Sequence, residues 1–303
     1  EKYCKKVKVF KRRKAWAPLN VLLAGVSAYP FLVAIYLSKT FRASVAEALR
    51  KENYDLIHAE TFYVMTNIPK TDLPTILVEQ TIEYLVYQHF VKNMFLPLKF
   101  LLGIDVAKLK FWERSFWKRA SKVVAVSEAD KKEMLGLEPS LDVDLVPNGV
   151  DLDFFVPKTT WVSKKPRVLF VSNFKWLQNV EAAKVLVTEI FPKVKAKLPD
   201  VSLWIVGQYT PESITRLRRV DVVIDSLRED DVASIKEAYN KASIFVSPLK
   251  GPGGTRLKNL AAMASKLPIV TTSIGAQGIG VDDGVHVLVR DDVKGLADAA
   301  IEL

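Results

Sequence analysis

The chain has 303 residues, enough for two domains of ordinary size. Its composition, with 49% hydrophobic and 26% charged residues, is that of a globular protein and excludes a disordered or fibrous chain. The net charge of +10 indicates an anionic partner, which leaves nucleic acid, an anionic membrane surface and a phosphorylated substrate as candidates.

Basic runs at residues 5–8 and 11–14 precede the most apolar stretch of the chain, residues 19–37. This order favours a membrane surface over nucleic acid, because no aromatic side chains alternate with the basic residues to form a stacking platform. The apolar stretch approaches the length of a membrane span. Asn20 and Pro30 interrupt it, so we expect a buried or interfacial helix that is broken at the proline.

Both halves of the chain predict parallel sheets. In the first half, apolar runs indicate strands at residues 6–10, 56–58, 75–78, 123–126 and 143–146, with helices at 42–51, 98–120 and 128–135. In the second half, strands are expected at 168–171, 203–206, 222–224, 244–246, 269–271 and 287–289, with helices at 179–198, 230–240, 256–265 and 293–303. Short apolar strands that alternate with helices are typical of doubly wound sheets buried on both faces.

We therefore predict an α/β fold of two Rossmann-like, doubly wound parallel-sheet domains, residues 1–157 and 158–303. A polar, proline-bracketed link at residues 157–166 is expected to join them. Ligands bind beyond the carboxyl ends of parallel strands, so both sets of strand ends are expected to face a cleft.

The most informative segment is the glycine-rich loop within residues 247–258, which joins a buried strand to a helix. Glycine lets the backbone approach a ligand, and free amides at a helix start bind anions. Thr255 is predicted to cap the helix, while Arg256 and Lys258 place positive charge at its start, where a bound anion would relieve their conflict with the helix dipole. The pattern by itself is equally compatible with a plain glycine-rich turn and with a phosphate-binding loop.

Residues 253–278, GGTRLKNLAAMASKLPIVTTSIGAQG, resemble the donor-site segment of family 4 glycosyltransferases. Shorter motifs follow in the family's order along nearly the whole chain, at residues 127–128, 147–151, 172–174, 205–207 and 239–248. The resemblance implies a GT-B fold and transfer from a UDP- or GDP-sugar, usually with retention of anomeric configuration and without a metal ion. Cys4 is the only cysteine and the histidines lie far apart, so we expect no metal site and no cofactor other than the sugar nucleotide.

The resemblance also implies roles for individual residues. The donor diphosphate is expected to contact Ser172, Lys175, Gly253, Gly254, Thr255, Arg256 and Lys258. The nucleotide is expected to border Gly207, Leu227 and Ala261.

The chain departs from the family at Ala261, where members commonly carry a glutamate that hydrogen-bonds the ribose. A hydrogen bond to a charged group is worth roughly 1.5–3 kcal/mol, so its loss lowers donor affinity substantially. Two alternatives follow: another acceptor replaces the glutamate, or the protein is weakened or inactive.

A second departure lies in the first domain, where Gln80 stands in the place of a histidine found in many relatives. Glutamine cannot exchange protons at neutral pH, although it can hydrogen-bond a sugar. The remaining polar groups at predicted strand ends are His58, Glu60, Glu79 and Glu83. Of these, His58, Glu79 and Glu83 are the catalytic candidates.

Together these features predict a hexosyltransferase that moves a sugar from a nucleotide-sugar donor to a hydroxyl of a glycan or lipid-linked acceptor in polysaccharide biosynthesis. We expect it in the cytoplasm, in peripheral contact with anionic lipid at the inner face of the membrane, and without a nucleic-acid partner. The alternatives are a weakened or non-catalytic nucleotide-sugar-binding relative and a sugar epimerase on the same fold. The family's first strand with its glycine-rich loop is expected to precede Glu1, and part of the terminal helix is expected to follow Leu303.

Overall fold

The computed structural model describes residues 3–12, 14–92, 94–156 and 165–303. The chain divides into two compact units, Glu1–Val146 and Pro147–Leu303, and each contains one parallel sheet. The predicted domain boundary at residue 157 and residues 157–164 of the predicted link lie outside the described residues, as does Arg13 of the second basic run.

The sheet of the first unit has four parallel strands in sequential order. They are β1 (Ile57–Glu60), β2 (Thr75–Glu79), β3 (Lys122–Ala125) and β4 (Val143–Leu145). The predictions for these four strands are confirmed to within one or two residues. The core of this unit is formed where the helices cover the sheet, with Leu77 and Trp117 fully buried.

The strand predicted at residues 6–10 is wrong. This segment has no regular secondary structure and no sheet partner among the described residues. Instead, Lys6 pairs with Glu52 at 3.4 Å and Lys8 donates to the Ser44 hydroxyl at 3.1 Å. Valines favour a strand only where the pleated surface offers neighbours to pack against, and this segment lies along a helix.

The helices of the first unit include the broken apolar stretch that the sequence predicts. They are α1 (Pro18–Val26), α2 (Phe31–Tyr36), α3 (Lys39–Lys51), α4 (Glu83–Lys92), α5 (Leu96–Arg119) and α6 (Glu128–Leu137), with a 3₁₀ turn at Phe62–Asn67. Pro30 separates α1 from α2, because proline disfavours helical backbone at the residue before it. In the described part of the chain, no helix combines the length and apolar character needed to cross a membrane.

Charged side chains of α5 complement the ends of three other helices. Lys108 Nζ donates to the carbonyls of Ala24 and Ser27 at the end of α1, both at 2.8 Å. Asp105 accepts from the first amide of α2 at 2.9 Å, and Glu113 accepts from the first two amides of α4 at 2.8 and 3.1 Å. All three side chains satisfy orphan backbone groups at helix ends, and the charges of Lys108 and Asp105 are opposite in sign to the helix ends that they face.

The sheet of the second unit has six parallel strands in the order β10-β9-β8-β5-β6-β7. They are β5 (Arg167–Asn173), β6 (Ser202–Gln208), β7 (Val222–Leu227), β8 (Ile244–Ser247), β9 (Ile269–Thr271) and β10 (Leu288–Val289). The chain runs outward from β5 to β7 and then returns to β8 on the other side of β5. Such a reversal opens a crevice at the carboxyl ends of the two central strands, and ligands of doubly wound folds bind there.

Helices cover the second sheet, whose central strands are apolar and fully buried in their middle, as at Leu169 and Phe245. The helices are α7 (Leu177–Val185), α8 (Phe191–Lys197), α9 (Glu212–Thr215), α10 (Val232–Lys241), α11 (Leu257–Ala264), α12 (Ser273–Ala276) and α13 (Val293–Glu302). A π-helical turn, Leu186–Ile190, joins α7 to α8, so the long helix predicted at residues 179–198 is confirmed with one widened turn.

Candidate functional site

Lys258, in the first turn of α11, reaches across the crevice between β8 and β5. Its Nζ lies 2.6 Å from the hydroxyl of Ser172 in β5 and 2.6 Å from Oδ1 of Asn179 in α7. A lysine ammonium has three N–H donors. The described residues supply oxygen acceptors for two of them, and the centroid of the Phe170 ring lies 5.1 Å from Nζ, so the third N–H has no oxygen acceptor among the described residues.

The side-chain amide of Asn179 is oriented by the backbone of the loop before it. Its Nδ2 donates to the carbonyl of Asn173 at 2.7 Å, which turns Oδ1 toward Lys258. Asn179 is buried, at 7% exposure. No role is predicted for Asn179 from the sequence. The signal available there is a polar residue on the buried face of an otherwise amphipathic helix.

The electrostatics of the crevice favour an anion. Burial lowers the pKa of the Lys258 ammonium well below its ordinary value, and the Arg256 guanidinium lowers it further. None of the carboxylates in the described ranges forms an ion pair with Lys258. A buried cation without a counter-charge is costly, and an anionic ligand would supply the missing charge.

The glycine loop beside Lys258 has the backbone geometry of an anion site. Gly253 and Gly254 have φ values of 138° and 31°, in the region that glycine adopts without strain. Within the part of the chain that the structure describes, nothing accepts a hydrogen bond from either glycine amide. Successive free amides of this kind form a concavity that binds phosphate.

Arg256 closes this loop. Its guanidinium is buried and donates to the carbonyl of Gly251 at 2.7 Å, so it holds the two ends of the turn together. The predicted cap at Thr255 is wrong: Arg256 occupies the N-cap position of α11, and the Arg256 side chain makes no capping hydrogen bond. In the first turn of α11, the amides of Leu257 and Asn259 already donate to the carbonyls of Thr255 and Arg256, at 3.1 and 2.8 Å, so the amides offered to an anion are those of Gly253 and Gly254.

Behind the loop, three buried polar side chains fix the position of α11. The Ser247 hydroxyl donates to Oδ1 of Asn259 at 2.8 Å, and Nδ2 of Asn259 donates to the carbonyl of Gly275 at 2.8 Å. Thr271 donates to the carbonyl of Ser247 at 2.9 Å. This network is not predicted from the sequence. Its signal is a set of polar residues at the ends of otherwise apolar strands.

The remaining residues predicted at the donor site lie around the neighbouring strand ends. Lys175 Nζ lies 3.5 Å from the centroid of the Tyr209 ring and 3.9 Å from Glu229. In this structure the Lys175 ammonium therefore contacts these two side chains and is not placed beside the Lys258 ammonium. Leu227 ends β7 and is half-buried. Ala261 is buried in α11, three residues after Lys258. Roles in nucleotide binding for these residues stay predictions.

Gly207 has a packing role in the same region. It lies opposite Ser172 in the pairing of β5 with β6. A Cβ atom at this position would lie 1.9 Å from the Ser172 carbonyl oxygen and 2.8 Å from the Phe174 ring. Only glycine at position 207 therefore lets β6 approach β5, the strand that carries Ser172, whose hydroxyl accepts from Lys258.

In the first unit, exposed polar side chains meet at the ends of β1 and β2. His58 Nε2 lies 3.1 Å from Glu60, and Gln80 donates to the same carboxylate at 3.2 Å. The next residue, Thr61, has a φ of 65°, which is strained for a β-branched side chain. The two contacts with Glu60 bring His58 and Gln80 together at the ends of β1 and β2. The catalytic role of His58 stays a prediction.

Three carboxyl groups lie buried beneath that edge of the sheet. Glu79 accepts from the Trp117 indole at 3.0 Å. The pKa of Glu79 is raised well above its ordinary value, mainly by burial and to a lesser extent by the negative charge of nearby Glu113. Burial raises the pKa of Glu83 to about 7 and that of Glu113 to about 8. Glu79 and Glu83 are thus enclosed by protein, and their catalytic roles stay predictions. No role is predicted for Glu113 from the sequence.

No group of His, Cys, Asp and Glu side chains that could hold a metal ion occurs among the residues with described positions.

Two family models match the chain. The model described as Glycosyltransferase Family 4 matches residues 6–154, and the model described as Glycosyl transferases group 1 matches residues 165–303. A Klebsiella pneumoniae protein, named an uncharacterized 44.6 kDa protein in the cps region, is 28% identical over 130 residues, which is 41% of this chain and 34% of that protein. The Mycobacterium tuberculosis phosphatidyl-myo-inositol mannosyltransferase is 27% identical over 184 residues, which is 59% of this chain and 47% of that protein. The matched segments thus span less than half the length of these curated relatives.

Several solved structures share the fold at low sequence identity. Sucrose-phosphate synthase from Thermosynechococcus elongatus has a TM-score of 0.63 and 19% identity, covering 86% of this chain and 67% of that one. TarM of S. aureus has a TM-score of 0.66 and 15% identity, covering 86% and 51%. Anabaena HepE, solved with UDP and glucose, has a TM-score of 0.60 and 18% identity, covering 86% and 70%. These α/β structures are GT-B glycosyltransferases, and the matches of both family models show that the chain belongs to glycosyltransferase family 4.

Proposed function

We propose that this protein transfers a sugar from a nucleoside-diphosphate sugar whose diphosphate binds in the crevice between β5 and β8. The observation that carries the proposal is the position of Lys258. Its ammonium is held between Ser172 and Asn179, beside two glycine amides that have no acceptor among the described residues and next to no described carboxylate. A pair of phosphates would accept from the ammonium and from the amides at once.

The same geometry suits the chemistry of the transfer. As the bond from the sugar to the diphosphate breaks, negative charge accumulates on the leaving diphosphate. Donors that are already in place stabilise this charge without reorganisation, which lowers the barrier most when water is excluded. Lys258 and the amides of the glycine loop are such donors, because Asn179, Ser172 and the network behind α11 hold them in position.

We propose a UDP- or GDP-sugar as the donor, with the diphosphate providing most of the affinity. Anabaena HepE was solved with UDP and glucose, which supports a uridine nucleotide. Ala261 offers no acceptor to a ribose, so less affinity is expected from that part of the donor. Transfer with retention of configuration and without a metal ion follows from the resemblance to the family. An anomeric assignment of the product, and assays with EDTA in place of Mg²⁺, would test these two points.

For the acceptor, we propose a hydroxyl of a growing glycan or of a lipid-linked sugar at the cytoplasmic face of the membrane. One relative is named a phosphatidyl-myo-inositol mannosyltransferase and another a protein in the cps region, and these names support a lipid-linked or capsular-type acceptor in polysaccharide biosynthesis. Both family models describe glycosyltransferases, which favours transfer over an epimerase or a binding-only protein.

Titration calorimetry of the 303-residue chain with UDP and with GDP tests the donor site. We expect one nucleotide to bind and Lys258→Met to weaken that binding at least tenfold, whereas Lys184→Met, an exposed change on α7, leaves it unaltered. Failure of both nucleotides to bind would overturn the proposal. A screen of sugar nucleotides by mass spectrometry, with release of nucleoside diphosphate as the readout, would then identify the sugar.

A further inference from the structure

Exposed apolar side chains of the first unit concentrate on α1 and on the first half of α5. On α5, Leu96, Phe100 and Ile104 follow at intervals of four residues and therefore lie on one helix face, with Leu96 85% and Phe100 75% exposed. On α1, Leu22 and Val26 are exposed in the same way. Scattered apolar residues are normal on protein surfaces, but helical stripes of this kind mark interaction sites.

The two stripes belong to one surface. Lys108 of α5 donates to the carbonyls at the end of α1, which brings that helix end beside the middle of α5. Ile104 lies one turn before Lys108 and Val26 lies in the last turn of α1. We call the exposed apolar residues of α1 and of residues 95–104, with Trp16 before α1, the α1–α5 surface.

The charged side chains of the segments that form the α1–α5 surface are all positive, and the first carboxylate after them, Asp105, is engaged by the first amide of α2. Residues 2–46 contain no aspartate or glutamate, and neither do residues 84–104, although lysine and arginine are frequent in the first of these ranges. Within the described part of the unit, Lys14, Lys92 and Lys99 form no ion pair with a carboxylate. Apolar faces bordered only by cations are complementary to an anionic bilayer, where lysine extends toward lipid headgroups while neighbouring apolar groups enter the acyl boundary.

We propose that the α1–α5 surface docks into the interfacial region of an anionic lipid membrane, with α1 and the first half of α5 lying along the membrane plane. Trp16 and Phe100 supply aromatic rings of the kind that anchor proteins at this depth. A second copy of the chain would bring two cationic surfaces together, which like-charge repulsion opposes. This inference goes beyond the donor site and does not depend on it.

Flotation with lipid vesicles tests the proposal on the whole 303-residue chain. We expect the chain to float with vesicles of phosphatidylcholine containing about 30% phosphatidylglycerol and to remain unbound with phosphatidylcholine alone, because basic residues near an anionic surface are attracted to its headgroups. The double variant Phe100→Ser with Leu101→Ser should bind the anionic vesicles at least tenfold more weakly. Its matched control, Val220→Ser with Val285→Ser, changes two exposed valines of the second unit and should bind like the wild type.

Charge and apolar contact can be separated by a second variant. Lys92→Glu with Lys99→Glu should abolish flotation at low salt while leaving the chain monomeric by size-exclusion chromatography. Equal flotation of the wild type with neutral and anionic vesicles would overturn the proposal, as would flotation that the serine variant does not reduce. A wild-type dimer that the serine variant converts to monomer would assign the surface to a second copy instead. Nucleotide titration without vesicles tests the donor site separately. The membrane proposal and the donor-site proposal can therefore fail independently of each other.

Discussion

The ammonium of Lys258 and the side-chain oxygen of Asn179 lie 2.6 Å apart, across the point where the strand order of the second sheet reverses. The orientation of Asn179 is fixed by its second hydrogen bond, to the Asn173 carbonyl. The side-chain amide of Asn179 in α7 therefore links the end of β5, at Asn173, to Lys258 of α11, and this amide is neutral. That amide positions the cation without neutralising it, which leaves the positive charge of the crevice available to an anion.

Replacing this amide by a carboxylate should remove the anion site. Asn179→Asp keeps the size of the side chain but supplies Lys258 with a counter-charge and repels phosphate. We expect affinity for UDP to fall at least tenfold, measured by calorimetry at pH 7.5. Asn240→Asp, the same change on α10, should have little effect. Unchanged binding in Asn179→Asp would show that the ligand does not approach Lys258.

Binding of UDP should be accompanied by proton uptake above neutral pH. Burial lowers the pKa of Lys258 in the free protein, so the neutral amine forms at a lower pH than in an exposed lysine. A bound diphosphate favours the charged amine, and UDP itself is fully ionised at this pH. Each binding event therefore takes up part of a proton, and affinity falls as pH rises.

Calorimetry at pH 8 in two buffers of different ionisation enthalpy measures this uptake directly. We expect a positive proton number below one for the wild type and a value near zero for Lys258→Met. The same uptake in both proteins would contradict the assignment of the proton to Lys258.

Gly207→Ala should destabilise the second unit and weaken donor binding together. The added methyl group would lie 1.9 Å from the Ser172 carbonyl, so β5 or β6 must move. Overpacking of a buried site costs about 1–3 kcal/mol, and displacement of Ser172 also removes an acceptor of Lys258. We expect a lower Tm and weaker UDP binding. Gly136→Ala in α6 is the control, since nothing lies within 4 Å of its added Cβ, and it should leave Tm unchanged or raise it.

The buried carboxyls predict that the first unit loses stability as pH rises. Burial raises the pKa of Glu83 from 4.5 to about 7. Between these two values the folded state retains a proton that the unfolded state releases, so the free energy of unfolding falls with increasing pH, by on the order of 3 kcal/mol for this group. Below about pH 4.5 and above about pH 7, the titration of Glu83 no longer changes the free energy of unfolding with pH.

Glu83→Gln should flatten this part of the stability profile. Urea denaturation of wild type and variant at pH 5 and pH 8 measures the effect, and the variant should gain stability relative to the wild type at pH 8. Glu47→Gln, which alters an exposed glutamate of α3, should leave the profile of the wild type in place. A variant whose pH profile matches that of the wild type would show that Glu83 titrates normally.

The elements that the sequence predicts well are those with a local physical signal. The strands of the second sheet are short apolar runs, and the helices between them place apolar residues at helical spacing. The structure confirms that these strands and helices exist and that they follow one another along the chain as predicted. The break at Pro30 likewise follows from the local backbone restriction that proline imposes.

The errors concern interactions between segments that are distant in sequence. Residues 6–10 have a strand-like composition, but they pair with no strand of the described sheets and lie against α3. Thr255 has the chemistry of a cap, but α11 begins two residues later. Asn179 and Glu113 acquire their roles from Lys258 and from the start of α4, at sequence separations of 79 and 30 residues, which no local pattern reveals.

The comparison of UDP with UMP tests the donor site most directly, because the two ligands differ by the one phosphate that the Lys258 crevice is proposed to hold. The account predicts that the wild-type chain binds UDP at least tenfold more tightly than UMP, and that Lys258→Met binds both with similar, weak affinity. Equal affinity of the wild type for UDP and UMP, or a preference that survives Lys258→Met, would contradict it.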